Sequence, residues 1–245
     1  MPAVPSRSVP ALLRSLQDDD PGVPRLTWYA ADHERSGERV ELSARVLSTW
    51  VAKTANLLEE EFDAGPGSVV AIDLPTHWRT LVFQLAAWST GAAVRLGPDR
   101  PADVLVSSSV EALRRNASTE RIAVSPAPLA RDFGAEVPEG VLDYARVITG
   151  YGDTYSPMVE PGPEDPALET ADGSALTHEG LLAGAAEAGA GWPPGVRLLT
   201  DVGPADVVRG PLAAWVRTGS VVLTPDLGSL PEKVAAAERT TATLS

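Results

Sequence analysis

The stretch LETADGSALTHEGLL, residues 168–182, gathers hydroxyls, a glycine, a histidine and carboxylates just ahead of a helix. Such residues hold phosphate when glycines let successive backbone N–H groups point at one spot and a Lys adds charge. This stretch is short, acidic and without Lys. Its second half, GSALTHEGLL, reads as a turn feeding a helix that Thr177 can N-cap, with Gly180 leaving the capping box incomplete.

Other chemistry is sparse. Of the three His, no two have metal-ligand spacing, and no HExxH or Asp/Glu cluster marks a zinc site. His33 beside a hairpin turn and His77 in PTHW read as exposed loop residues, and His178 as a structural residue. Without Cys there is no disulfide, thiolate metal site or cysteine nucleophile. No Ser stands in GxSxG. The runs DDD (18–20) and EEE (59–61) read as solvated charge, and with 5% aromatic residues a sugar cleft around paired carboxylates has no platform. GYGD (150–153) reads as an irregular loop.

A formal charge of −13 repels nucleic acid, since the basic residues are scattered and form no footprint. No apolar run reaches the ~20 residues that span a bilayer, and the N-terminus lacks the build of a signal peptide. The expected location is cytoplasmic.

The elements that must position these residues alternate. PALLRSLQDD is a helix ended by Pro21-Gly22, and RLTWYAADHERSGERVELS is a hairpin turning at Ser36-Gly37. Ser43 caps a helix whose apolar stripe is Val46, Leu47, Trp50, Val51, Thr54, Leu57 and Leu58. Strand SVVAIDLP, helix HWRTLVFQLAAWSTG, strand AAVRLG, strand DVLVSS, a short polar helix near 110–117 and strand RIAVSP follow. Trp50 and Trp88 lie on apolar helix faces and belong to the core. A short helix is expected around 138–147, then a long connection in which PMVEPGPEDP discourages regular structure. THEGLLAGAAEAGAG, VRLLTDV, ADVVRGPLAAWVRTG (interrupted by Pro211), SVVLTPD, LPEKVAAAERT and TATLS resume the alternation. The pattern predicts an α/β fold of mostly parallel sheets with helices on both faces. Its expected organisation is an N-terminal helical extension (1–24), a first α/β subdomain (25–156), a Pro-rich linker (157–167) and a smaller α/β subdomain (168–245), within one compact unit.

LSARVLSTWVAKTANLLEEEFDAGPGSVVAIDLPTHWRTLVFQLAAWSTGAAV resembles the opening of the AMP-dependent synthetase and ligase superfamily, the adenylate-forming enzymes that include acyl-CoA synthetases. GSALTHEGLLAGA is similar to the segment following that family's phosphate loop. VRLLTDVGPADVVRGPLAAWVRTGSVVLTPD is similar to its next strand, helix and strand. The resemblance covers about residues 25–245 and implies the fold of the N-terminal subdomains of those ligases.

It also implies losses. Gly173 falls at the last Gly of the family's phosphate loop and Asp172 at its Lys, while LETA stands in for a Ser/Thr/Gly run. Thr170 offers the one hydroxyl. A carboxylate there repels a phosphate by a few kcal/mol at an effective dielectric of about 20. Asp206 falls about where the family's P-L-F-H carries His. The ribose-binding Asp, the adenine-contacting motif and the catalytic Lys belong to the family's later half, beyond the last residue of this sequence. The expectation is a noncatalytic binding or interaction module, with no catalytic residue and no cofactor. On the alternative, a partner completes an adenylate-forming or acyl-CoA ligase, or the chain senses nucleotide or acyl-CoA without turnover. ATP or AMP with Mg²⁺ would then be bound near Thr170, Gly173, Thr177 and His178. The expected partner is an unknown protein or a second copy meeting an open sheet edge, not nucleic acid or a membrane.

Overall fold

The computed structural model describes residues 8–31, 38–127, 130–170, 173–230 and 232–245. In chain order its elements are α1 (Val9–Asp19), β1 (Pro24–Tyr29), β2 (Arg39–Ser43), α2 (Ala44–Phe62), β3 (Val69–Asp73), α3 (Trp78–Thr90), β4 (Ala93–Leu96) and β5 (Val104–Ser107). Then come α4 (Val110–Arg115), β6 (Glu120–Ala123), β7 (Leu142–Asp143), α5 (Tyr144–Val147), β8 (Pro166–Glu169), β9 (Ala175–Thr177) and α6 (His178–Ala188). The last are β10 (Arg197–Thr200), a π-helical stretch (Val208–Leu212), α7 (Ala213–Trp215), β11 (Ser220–Leu223), α8 (Glu232–Ala237) and β12 (Ala242–Leu244).

These elements form two compact units. The first comprises Met1–Ser48, Thr76–Leu81 and Glu179–Ser245, and the second Thr49–Pro75 and Val82–His178. The first holds a five-stranded sheet in the order β12-β10-β11-β1-β2, parallel except for the β1–β2 hairpin. Ser8 starts α1 by accepting the Ala11 N–H at 3.3 Å, and Leu12, Leu13 and Leu16 form the helix's buried stripe. Asp19 and Asp20 are more than solvated charge. Asp19 meets the buried Arg25 guanidinium at 2.5 Å, and Asp20 accepts the Gly22 N–H at 2.8 Å. A knot of charge ties the chain after α8 to the sheet, where the Glu238 carboxylate accepts from Tyr29, Arg39 and Arg197.

The second unit holds a seven-stranded sheet in the order β7-β6-β5-β3-β4-β8-β9, parallel except at β8–β9. Its central strands are buried on both faces, so they read as unbroken apolar runs. Leu105, Leu113, Ala123 and Phe133 pack together on Ala71. Gly91 ends α3 at φ +89°, where a Cβ would come within 2.9 Å of Pro66.

Ser43 caps α2 as expected, accepting the Val46 N–H at 3.3 Å. The predicted stripe is buried at Leu47, Val51, Thr54, Leu57 and Leu58, but Val46 is 41% exposed and Trp50 only half-buried. Trp88 is fully buried and donates to the Ala167 carbonyl at 2.7 Å. The EEE run is also more than solvated charge: Glu59 accepts from Tyr155 Oη and Met158 N, and Glu61 from Tyr151 Oη. The helix expected over 138–147 starts only at Tyr144, because Leu142–Asp143 pairs with β6 first. The hairpin turn with Ser36-Gly37 and His33 lies outside the described residues.

Candidate functional site

The segment carrying Thr170, Gly173, Thr177 and His178 is a β-hairpin, which sequence reading reduced to a turn before a helix. Leu168 pairs with Leu176 and Glu169 with Ala175. The turn between them is closed by its own backbone. Thr170 N–H donates to the Ser174 carbonyl at 2.9 Å, and Gly173 N–H to the Thr170 carbonyl at 3.0 Å. The Thr170 hydroxyl lies 2.9 Å from the same Ser174 carbonyl and 2.7 Å from the Ser174 hydroxyl. Gly173 makes the reversal at φ +86°, a conformation natural to glycine. Ala171 and Asp172 lie outside the described residues.

The four residues do not converge. Thr170 and Gly173 sit at the hairpin's tip, whereas Thr177 pairs with Pro166 at its base and directly precedes α6. His178 is 4% exposed, and its N–H donates to the Asp165 carbonyl at 3.0 Å. Burial pushes its imidazole pKa down, opposed by a hydrogen bond to the Gly91 backbone.

Glu169, at the mouth of the turn, is clamped from β4. Arg95 Nε donates to Oε2 at 2.5 Å and Nη2 to Oε1 at 3.0 Å, with Arg100 3.2 Å away. The Arg95 hydrogen bonds hold this carboxyl below its ordinary pKa against a smaller opposing effect of burial. Sequence reading missed Arg95 and Glu169; the signal was a charged residue inside the short apolar strand AAVRLG.

In the first unit, the strand order reverses around β10: the chain goes from β10 to β11 on one side, then to β12 on the other. The carboxyl ends of strands at such a reversal form the usual ligand crevice of α/β folds. A cavity of about 10 Å³ lies past the carboxyl ends of β10 and β11, lined by Thr76, His77, Thr80, Val202, Val207 and Leu223 among others. It is flanked by the π-helical stretch, where Pro211 lacks an N–H and Leu212 N–H reaches back to the Val207 carbonyl at 2.9 Å. Asp206 takes no part. It is half exposed and paired with Arg209 at 2.7 Å.

His77 corrects its reading as an exposed loop residue, being 4% exposed. Its Nδ1 accepts the Arg79 N–H at 3.2 Å, which makes it the N-terminal cap of α3. Burial and the nearby Arg79 charge lower its pKa to about 3. Histidine is not among the favoured capping residues, so capping preferences gave no signal for it.

No protein-family model matches the chain. A TIGR03089 family protein of Mycobacterium tuberculosis (strain ATCC 25618 / H37Rv) is 35% identical over 236 residues, covering 92% of this chain and 93% of the relative. The chain belongs to the TIGR03089 family. Among solved structures, this TIGR03089 member is similar to a Brucella canis acyl-CoA synthetase with a TM-score of 0.70 and 18% identity, over 87% of this chain and 42% of that one. It is similar to acetoacetyl-CoA synthetase from Streptomyces lividans with a TM-score of 0.68 and 18% identity, over 90% of this chain and 39% of that one. The chain therefore spans about two-fifths of the length of these synthetases. It has an acyl-CoA synthetase-like fold.

The second sheet of the TIGR03089 chain has its own reversal, between β3 and β5. There the Ser107 hydroxyl donates to Asp73 at 2.6 Å and accepts the Ser109 N–H at 2.9 Å. A groove of about 610 Å³ lies beside them, lined by Asp73, Asp99, Ser109, Glu111, Arg115 and Asn116 among others. Arg115 is paired with Glu111 at 2.9 Å, so the carboxylates outweigh its charge and the groove is not an anion site. Among the described residues, no group of three or more His, Cys, Asp or Glu could hold a metal, and no helix is long and apolar enough to cross a membrane.

Proposed function

We propose that this chain is a noncatalytic protein with an adenylate-forming ligase fold, a cytoplasmic pseudoenzyme that works as a binding or interaction module. The observation carrying this reading is the bonding among Thr170, Gly173 and Ser174. The Thr170 and Gly173 amides are already hydrogen-bonded to carbonyls of the turn itself, so they are turned away from any phosphate. Glu169 adds a carboxylate neutralised by Arg95, leaving that guanidinium committed. Asp206, which falls about where the resemblance gives the His of P-L-F-H, is held by Arg209 on the surface. No cofactor is needed, and the partner is another protein or a second copy. Calorimetry of the purified chain with ATP·Mg²⁺ tests this. No heat of binding at micromolar ligand is expected, and micromolar affinity weakened by changes in residues 169–174 would overturn it.

A second reading is a nucleotide or acyl-CoA sensor without turnover, for which the acyl-CoA synthetase-like fold is the support. A thermal-shift panel of ATP, AMP, CoA and acyl-CoAs separates the two. Saturable stabilisation supports sensing, because a ligand bound only by the native state must raise stability. Pyrophosphate exchange appearing with an added partner would instead support a ligase completed in trans.

A further inference from the structure

His77 carries a buried donor with nothing to donate to. Its Nδ1 is engaged as acceptor by the Arg79 amide at 3.2 Å. In a neutral imidazole the other nitrogen then bears the proton. That nitrogen, Nε2, is buried and has no hydrogen-bond partner among the described residues. An unsatisfied buried N–H destabilises the fold, and such groups are commonly met by an ordered water. The adjoining cavity of about 10 Å³ is the size of a single water-sized sphere. Its remaining walls include Thr76 and Thr80 beside the apolar side chains of Val202, Val207, Pro211 and Leu223. It also lies at the amino end of the 13-residue helix α3, where the helix dipole favours partial negative charge. We infer that this cavity is a binding site for one acceptor oxygen on the His77 Nε2–H, supplied by a water molecule or by the carboxylate of a small organic acid. The two sources share their chemistry: an oxygen lone pair with a partial or full negative charge.

A competing acceptor is the Trp28 indole, whose ring centroid lies 4.5 Å from that of His77 at an interplanar angle of 68°. An N–H···π contact there would satisfy the donor with the cavity left dry. A crystal structure at atomic resolution in acid-free buffer distinguishes them, joined by long-range proton–nitrogen NMR spectra of the intact chain with and without acetate. The expected result is one oxygen in the cavity within about 3 Å of Nε2, with an imidazole protonated on Nε2. Acetate that replaces this oxygen and shifts the Nε2 resonance assigns the site to a carboxylate, and an oxygen indifferent to acetate assigns it to water. In His77→Asn, which keeps a capping acceptor, both the oxygen and any acetate response should be lost. An empty cavity with the Nε2 proton shifted upfield by the Trp28 ring overturns the inference, as does an acetate response that persists in the variant. If the variant does not fold, the wild-type crystal and spectra decide.

Discussion

Arg95 and Glu169 face each other on adjacent parallel strands as a two-pronged pair, with nitrogen–oxygen distances of 2.5 and 3.0 Å. The register that places Val94 opposite Leu168 makes the pairing unavoidable once β4 and β8 adjoin. Glu169 is the last residue of β8, so the chain enters the hairpin turn from a fixed point. Clamp and turn act together: one anchors the strand end, and the other closes the Thr170 and Gly173 amides on the Ser174 and Thr170 carbonyls.

Replacing Glu169 by Gln should therefore destabilise the fold by about 2 kcal/mol, the range for hydrogen bonds to charged groups, without creating ATP affinity. The pair is mostly shielded, at 14% and 21% side-chain exposure. The sign of the pH dependence follows from the lowered pKa. The carboxylate's contribution is complete above its ordinary value of 4.5 and is lost as pH falls through the lower folded value. Urea denaturation should show a wild-type advantage at pH 7 that shrinks only below pH 4.5.

The His77 imidazole gives the opposite kind of group the same direction. Unfolded, it takes up a proton near its ordinary 6.5, whereas the folded ring stays neutral until about 3. Between those values the unfolded state binds more protons, so stability falls as pH falls, by up to about 1.4 kcal/mol per pH unit. Denaturation at pH 7, 6 and 5 should show a steeper loss for wild type than for His77→Asn. Equal slopes would mean that the folded ring takes up its proton as readily as the unfolded one.

Much of this architecture was legible because parallel strands buried on both faces are compact apolar runs between helices of clear period. SVVAIDLP, DVLVSS and SVVLTPD all lie at strands. The hairpin at 166–177 was not legible. Pro161, Pro163 and Pro166 argue against regular structure, yet Pro at the first position of a strand is compatible with a sheet, and Pro166 is that position. The three residues of β9 are too few to show a period. Nor could spacing show that the Glu run would receive phenols from about 90 residues away, since such pairs arise only when a long connection returns to its helix. The Pro211 interruption was visible, but its π-helical form depends on which carbonyl Leu212 reaches.

Glu238 should be among the most sensitive charged positions. Its side chain is 8% exposed, and burial alone would raise its pKa. Hydrogen bonds from Tyr29, Arg197 and Arg39 outweigh that and lower it. Glu238→Ala leaves two guanidinium groups without their shared carboxylate, a change expected to destabilise by about 3 kcal/mol. Tyr29→Phe removes one neutral donor and should lose about 1 kcal/mol. Chemical denaturation of the two variants checks the order, and equal losses would show that the arginines find other acceptors.

The connection after α5 should open locally before the rest of the second unit. It is fastened to α2 mainly by side chains. Lys53 Nζ donates to the Tyr151 carbonyl at 2.5 Å, Asn56 Nδ2 to the Gly152 and Thr154 carbonyls at 3.0 and 2.9 Å, and Glu59 accepts from Tyr155 and Met158. Met158 and Val159 are 77% and 60% exposed, so little apolar burial supports their stretch of backbone. Segments held by few buried apolar contacts open at free energies well below the global value. Asn56→Ala combined with Glu59→Ala removes the side-chain hydrogen bonds to residues 152, 154, 155 and 158 and leaves the central strands untouched. Amide exchange in that stretch should rise about tenfold or more, since each lost hydrogen bond contributes about 1 kcal/mol. The global unfolding midpoint should shift far less. If exchange there stays at the wild-type rate, backbone packing and not these side chains holds the connection down.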